Sequence, residues 1–133
     1  MSVETGLVRI LTTNSGVSAL VATRIYPVLA VEGTPFPCLV YQRISTARDA
    51  NSMDNAAELP RARFQFSCLA SNFTDAVALE VAVRTALAGF TGLADDTTIQ
   101  AALVVDTRDT FEYDLSTTGA YRRDLDFEIY YQE

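Results

Sequence analysis

Residues 120 to 131, AYRRDLDFEIYY, alternate with a period of two: Leu125, Phe127, Ile129 and Tyr131 take one side of an extended chain, and Asp124, Asp126 and Glu128 take the other. Wound at 100° per residue, the same apolar side chains would scatter around a helix, so the segment is a strand with one face on a core and an acidic face opposite. Such a strand needs partners and a covering layer. Ile99 to Tyr113 is also strand-like, and LSTTG, residues 115 to 119, reads as a turn, so the two segments are predicted to form a hairpin. Arg63 to Leu69 alternates as well, with Phe64, Phe66 and Cys68 opposed to Gln65 and Ser67, and gives another half-buried strand.

The entry to a further strand is punctuated. In GTPFPCLVYQRIS, residues 33 to 45, Pro35 and Pro37 hold Thr34 and Phe36 extended, and neither proline can donate to a ladder. The strand is therefore predicted to begin at Cys38, with Gln42 and Arg43 marking its exposed end. Arg24 to Leu29 reads as a short strand whose Pro27 confines it to an edge or bulge. Ser45 to Pro60, STARDANSMDNAAELP, is long, polar and weakly periodic, and is expected to be a mobile loop or the tip of a long hairpin. Its large apolar or cationic groups, Arg48, Met53 and Leu59, are the expected docking contacts of that segment.

Two segments carry the helical period. Val3, Leu7, Ile10 and Leu11 share one stripe, and a short apolar turn from Val17 to Val21, read as helical, follows the Asn14-Ser15-Gly16 turn. The second helix begins at Asn72, a good N-cap with Asp75 three residues on, and stops at Gly89. It has two apolar stripes: Ala76, Leu79, Val83, Leu87 and Phe90 form one, and Val77, Val81 and Ala88 form the other, with Glu80 and Arg84 between them. The second stripe fits either the helix's own core or a contact with another subunit. Together these segments predict an α+β fold over residues 1–133, a single compact domain with a mainly antiparallel or mixed sheet of about four to five strands and two main helices packed on it.

Composition removes whole classes of chemistry. The chain has no histidine, so Ser-His-Asp, Cys-His and His-metal mechanisms are excluded. Its 17 acidic residues outnumber 10 basic ones, all arginine, for a net charge of −7, which opposes specific binding to nucleic-acid phosphates. Cys38 and Cys68 lie on separate apolar segments and read as small buried hydrophobes. The first twenty residues include Glu4 and Arg9 and no continuous apolar run, so neither a signal peptide nor a membrane span is expected there. A carboxylate cluster of Asp124, Asp126 and Glu128, with Asp106 beside it, is one reading as an Mg²⁺ site for a nuclease or other hydrolase. Alternating acids on a strand are more simply its solvated face. A small cytosolic binding module is another class compatible with the pattern. No catalytic, cofactor-binding or metal-ligating residue is assigned.

The order of the segments resembles the bacteriophage tail completion proteins, small tail-terminator and head-to-tail joining proteins of long-tailed phages. The resemblance runs through the N-terminal helix, Arg24-Ile25-Tyr26-Pro27, Pro37 with Val40-Tyr41-Gln42, and the strand passing by Ala70-Ser71 into the helix of Ala76, Val83-Arg84 and Ala86-Leu87. It ends on Arg122-Arg123 and Asp126-Phe127-Glu128-Ile129. It implies a non-enzymatic virion protein, assembled in the host cytoplasm, that forms a ring, commonly a hexamer, at the head-proximal end of the tail. Its partners would be itself, the tail tube protein and the head connector, with DNA passing through the opening and no cofactor or membrane. Terminator and joining roles both stay open. In such a ring Val77, Val81 and Ala88 would face a neighbouring subunit, and Asp124, Asp126 and Glu128 would face the channel and repel passing phosphates.

Overall fold

A computed structural model describes residues 3–22, 24–28, 36–47, 60–94, 97–112 and 120–132. The elements run α1 (Val3–Thr13), α2 (Ser15–Val21), β1 (Ile25–Pro27), β2 (Cys38–Ala47), β3 (Arg61–Ala70), α3 (Phe73–Leu87), β4 (Gly92–Ala94), β5 (Thr97–Glu112) and β6 (Ala120–Gln132). They build one six-stranded sheet in the order β1-β2-β3-β6-β5-β4. Among the described strands β1 and β2 are parallel and the other neighbours antiparallel, so the sheet is mixed.

The α+β expectation holds, with more elements than the pattern predicts. The apolar turn at Val17 is helical as expected, started by Asn14, whose Oδ1 accepts from the Val17 amide at 3.0 Å. The extra strand, β4, is three residues between the Gly89 stop and the strand read from Ile99, a stretch to which the sequence reading gave no element. Strand β1 lies at the sheet edge, where Pro27 needs no donor on its outer side. Strand β2 starts at Cys38, where the prolines release the chain, and continues through Ala47, which pairs with Arg61. Thr46 and Ala47, in the segment expected to be a mobile loop or the tip of a long hairpin, are thus strand and extend the β2–β3 ladder.

All three helices cover one face of the sheet. Val3, Leu7 and Leu11 of α1, Val17 and Val21 of α2, and Leu79, Val83 and Leu87 of α3 share a core with Phe64, Phe66, Leu125, Phe127, Ile129 and Tyr131. Phe66 meets Phe127 edge-on with ring centroids 5.8 Å apart. Each large apolar side chain buried this way contributes about 1.5–3 kcal/mol, which is what holds the helices to the sheet. Gly6 permits the closest approach: a Cβ there would lie 2.6 Å from the Ala94 carbonyl oxygen, so its bare Cα is what lets α1 rest on β4.

Arg43 has a part its position at a strand end did not suggest. It sits on the helix-covered face, its guanidinium 5.2 Å from the centre of the Phe64 ring, and donates to Glu4 Oε1 at 2.8 Å, Thr46 Oγ1 at 2.7 Å and Tyr131 Oη at 3.3 Å. It clamps the first turn of α1 to the sheet instead of marking an exposed end. Among the described residues no helix is long and apolar enough to cross a membrane.

Candidate assembly surfaces

The helix-free face of the sheet is where the acidic residues of β6 point. Pairing aligns Gln65 with Asp126 and Ser67 with Asp124, and across β5 it aligns Asp106 with Asp126 and Arg108 with Asp124. An open acidic face would leave these carboxylates in water, yet Asp124 is 7% and Asp126 3% exposed. The reason is cover from flanking strands. Asp126 accepts from Arg63 Nη2 of β3 at 2.8 Å and from Arg108 of β5 at 3.2 and 3.3 Å. Asp124 Oδ1 accepts from Ser67 Oγ at 2.8 Å and from Arg122 Nε at 2.7 Å. Glu128, half-buried, has Arg61 at 3.8 Å and accepts from the Tyr130 hydroxyl at 2.7 Å. The hydrogen bond from Arg108 also holds the Asp106 carboxyl below its ordinary value.

The solvated acidic face of the sequence reading is therefore corrected to a paired lattice: Arg61, Arg63, Arg108 and Arg122 stand against Asp106, Asp124, Asp126 and Glu128. Its chemistry is charge-matched, and a hydrolytic metal would have to displace guanidinium groups from buried oxygens. Among the described residues no group of three or more His, Cys, Asp or Glu side chains could hold a metal ion.

The second surface is on α3. The core stripe is buried as expected at Ala76, Leu79, Val83 and Leu87. Of the other stripe, Val77 is half-buried, Val81 is 42% exposed, and Ala88 is exposed at the helix C-cap. Phe73, one turn before Val77, is 47% exposed and packs edge-on against Tyr121 at 6.1 Å, so the apolar stripe reaches further than the sequence reading placed it. Glu80, placed between the stripes, is buried and bound by Arg84 Nε at 2.7 Å, the i,i+4 pair its spacing allows, with Arg123 Nη1 at 3.6 Å. Arg123 also meets Asp109 at 3.0 Å and lies over the Phe73 ring, tying α3 to the outer half of β5. Arg48, Met53 and Leu59 lie outside the described residues.

Two open depressions are lined by described residues. An open depression of about 490 Å³ is lined by Glu4, Pro27, Val28, Tyr41 and Arg43, with its arginine engaged as described. A smaller one, about 350 Å³, lies between Ile10, Phe90 and Leu93. Neither presents a nucleophile beside a base. Cys38 and Cys68 are buried free thiols; burial pushes Cys38 up to about 11 and Cys68 well above its usual value, which keeps both protonated and unreactive.

The profile of the family described as tail completion protein gp17 matches residues 5–132. Among solved structures, a chain of the virion of native gene transfer agent (GTA) particle superposes with a TM-score of 0.64 at 20% identity, covering 96% of this chain and 92% of that one, a likeness of fold. Comparison with curated protein sequences returns no match.

Proposed function

The chain belongs to the tail completion protein gp17 family, and from that premise we propose that it closes the head-proximal end of a phage tail as a ring of six copies, ending tube growth and meeting the head connector. It is a structural protein of the virion tail. The observation that carries the proposal is the family match from residue 5 to residue 132. The surfaces support it: an apolar stripe through Val77, Val81 and Ala88 for a neighbouring subunit, and a paired sheet face for the channel.

On this reading the face bearing Asp124, Asp126 and Glu128 lines the passage as a charge-matched surface. Its arginines are already engaged by carboxylates, so they offer phosphates little, and the net charge of −7 adds weak repulsion. Arg48, Met53 and Leu59 are assigned to docking on tail partners from composition alone. Mass measurement of the free protein, followed by electron microscopy with and without purified tail tubes, tests the proposal. Rings seated on tube ends are expected; a protein that stays monomeric and leaves tubes uncapped would sink it.

A further inference from the structure

Among the described residues, the sheet ends in two edges that its short strands only half cover. Strand β1 reaches Leu39, Val40 and Tyr41 of β2, and among the described residues no strand lies beyond Gln42–Ala47 on that side. At the other edge β4 covers Thr97 to Ile99 of β5, and the Gly89 amide donates to the Ala102 carbonyl at 2.9 Å. From Leu103 to Thr110, among the described residues, no strand lies beyond β5. Both uncovered stretches carry exposed apolar side chains: Ile44 at 47% on one, and Leu103 at 51%, Val104 at 41% and Val105 at 43% on the other. Native sheets seldom leave such an edge open, because its unpaired amides and carbonyls are a template for another strand.

We infer that the β5 edge, Leu103–Thr110, takes the Gln42–Ala47 edge of a second copy in antiparallel register, so that adjoining subunits share one continuous sheet. The inference rests on the ring reading above and names the seam of that ring. Three observations select this occupant.

The first is direction. β2 is antiparallel to β3, β3 to β6, and β6 to β5, so β2 and β5 of one chain run oppositely. A copy carried sideways past β5 therefore presents its β2 antiparallel, without being turned over. The second is position. Strand pairing places Gln42 in the same row as Asp106, and Ser45 in the same row as Leu103, so the two open stretches overlap along the strand axis. They are offset by only a few residues, at about 3.4 Å each. A fixed stagger of this kind is what closure of tilted strands into a barrel requires. The third is the bulges. The register shifts between Arg43 and Ser45 on β2 and between Val104 and Asp106 on β5, so each open edge carries one extra residue, Ile44 or Val105. Extra residues interrupt a ladder, and they limit the registers in which two edges can meet. A head-to-tail contact between two different edges repeats around an axis, whereas a β5 to β5 contact would stop at a dimer.

Ile44→Cys and Val105→Cys proteins, assembled on tail tubes and mildly oxidised, test the seam. A mixture of the two is expected to give a covalent dimer that neither variant gives alone, with the parent and its buried Cys38 and Cys68 as control. Amide exchange is read in parallel on assembled wild-type rings, where both edges are expected to slow by at least about tenfold relative to the monomer; slowed exchange at both edges supports the seam whether or not the chosen cysteine pair is in register. Rings seen by microscopy with exchange unchanged at both edges overturn the seam and leave the ring reading intact. Dimers from Val105→Cys alone overturn it in favour of a two-fold contact. A protein that is monomeric even with tubes overturns the ring and the seam together.

Discussion

Arg63 Nη2 lies 2.8 Å from Asp126 Oδ2 across the β3–β6 ladder, with the carboxylate side chain 4% exposed and the guanidinium 38%. The cost of breaking the pair should therefore depend on which partner is removed. Asp126→Ala takes away a buried acceptor used by two arginines, and is expected to lower stability by about 1–3 kcal/mol. Arg63→Ala leaves Asp126 bound to Arg108 and should cost less, under about 1 kcal/mol. Urea midpoints of the two variants check the order. Equal losses would mean that Arg108 does not hold Asp126 as the geometry indicates.

Gly6→Ala sets helix propensity against packing. On an isolated helix the change would stabilise by about 1 kcal/mol. Here the new Cβ would lie 2.6 Å from the Ala94 carbonyl oxygen and 3.1 Å from its Cβ, so α1 and β4 must separate. The expected net effect is a loss of about 1–2 kcal/mol. A thermal midpoint unchanged or raised would show that α1 does not rest on β4 at this distance.

The residues that sequence placed well are those whose neighbours are close in the chain. The stripe of Val3, Leu7 and Leu11 and the alternation of Leu125, Phe127 and Ile129 each report a face directly, and both faces are buried. Pro37 likewise fixed the start of β2 at Cys38 through local sterics. Strand β4 was not legible because three residues carry no period and its pairing with Thr97 to Ile99 decides it. The burial of Asp126 was not legible for a different reason. Alternation says which side a carboxylate takes, but the arginine that covers it comes from 63 positions away. Glu80 is half such a case: its i,i+4 partner Arg84 is local and legible, while Arg123 belongs to another element. On α3 both stripes were read from period alone, and only exposure separates the one inside the core from the one outside it.

Burial of the two thiols gives a pH dependence with a definite sign. Cys38 is raised from 9.0 to about 11, chiefly by desolvation and against the opposing pull of Arg24, and Cys68 is raised well above 9.0, again chiefly by desolvation. As pH rises past about 9, the unfolded chain releases thiol protons that the native state keeps, so unfolding becomes easier. The Cys38 contribution to this fall should level off above about 11, where the native thiol also ionises. Urea midpoints measured from about pH 8 upward should decline, and Cys38→Ala should decline less steeply than the parent. In the folded protein both cysteines should react slowly with a thiol reagent at neutral pH and completely once unfolded. Rapid labelling of the native protein would contradict the burial.

Val81 separates the core from the assembly. It is 42% exposed on α3, while Leu79 and Val83 beside it are fully buried. A carboxylate placed on the exposed surface of a monomer costs little, within about 0.5 kcal/mol, because water solvates it. The same carboxylate enclosed between two subunits has no partner and costs several times more. Val81→Asp is therefore expected to keep a cooperative unfolding transition near that of the parent and to lose ring formation on tail tubes. Leu79→Asp, one turn position inward, should fail to fold and so calibrates what core disruption looks like. Rings formed normally by Val81→Asp would take the Val77, Val81 and Ala88 stripe out of the interface, and a variant that fails to fold would return Val81 to the core of its own subunit.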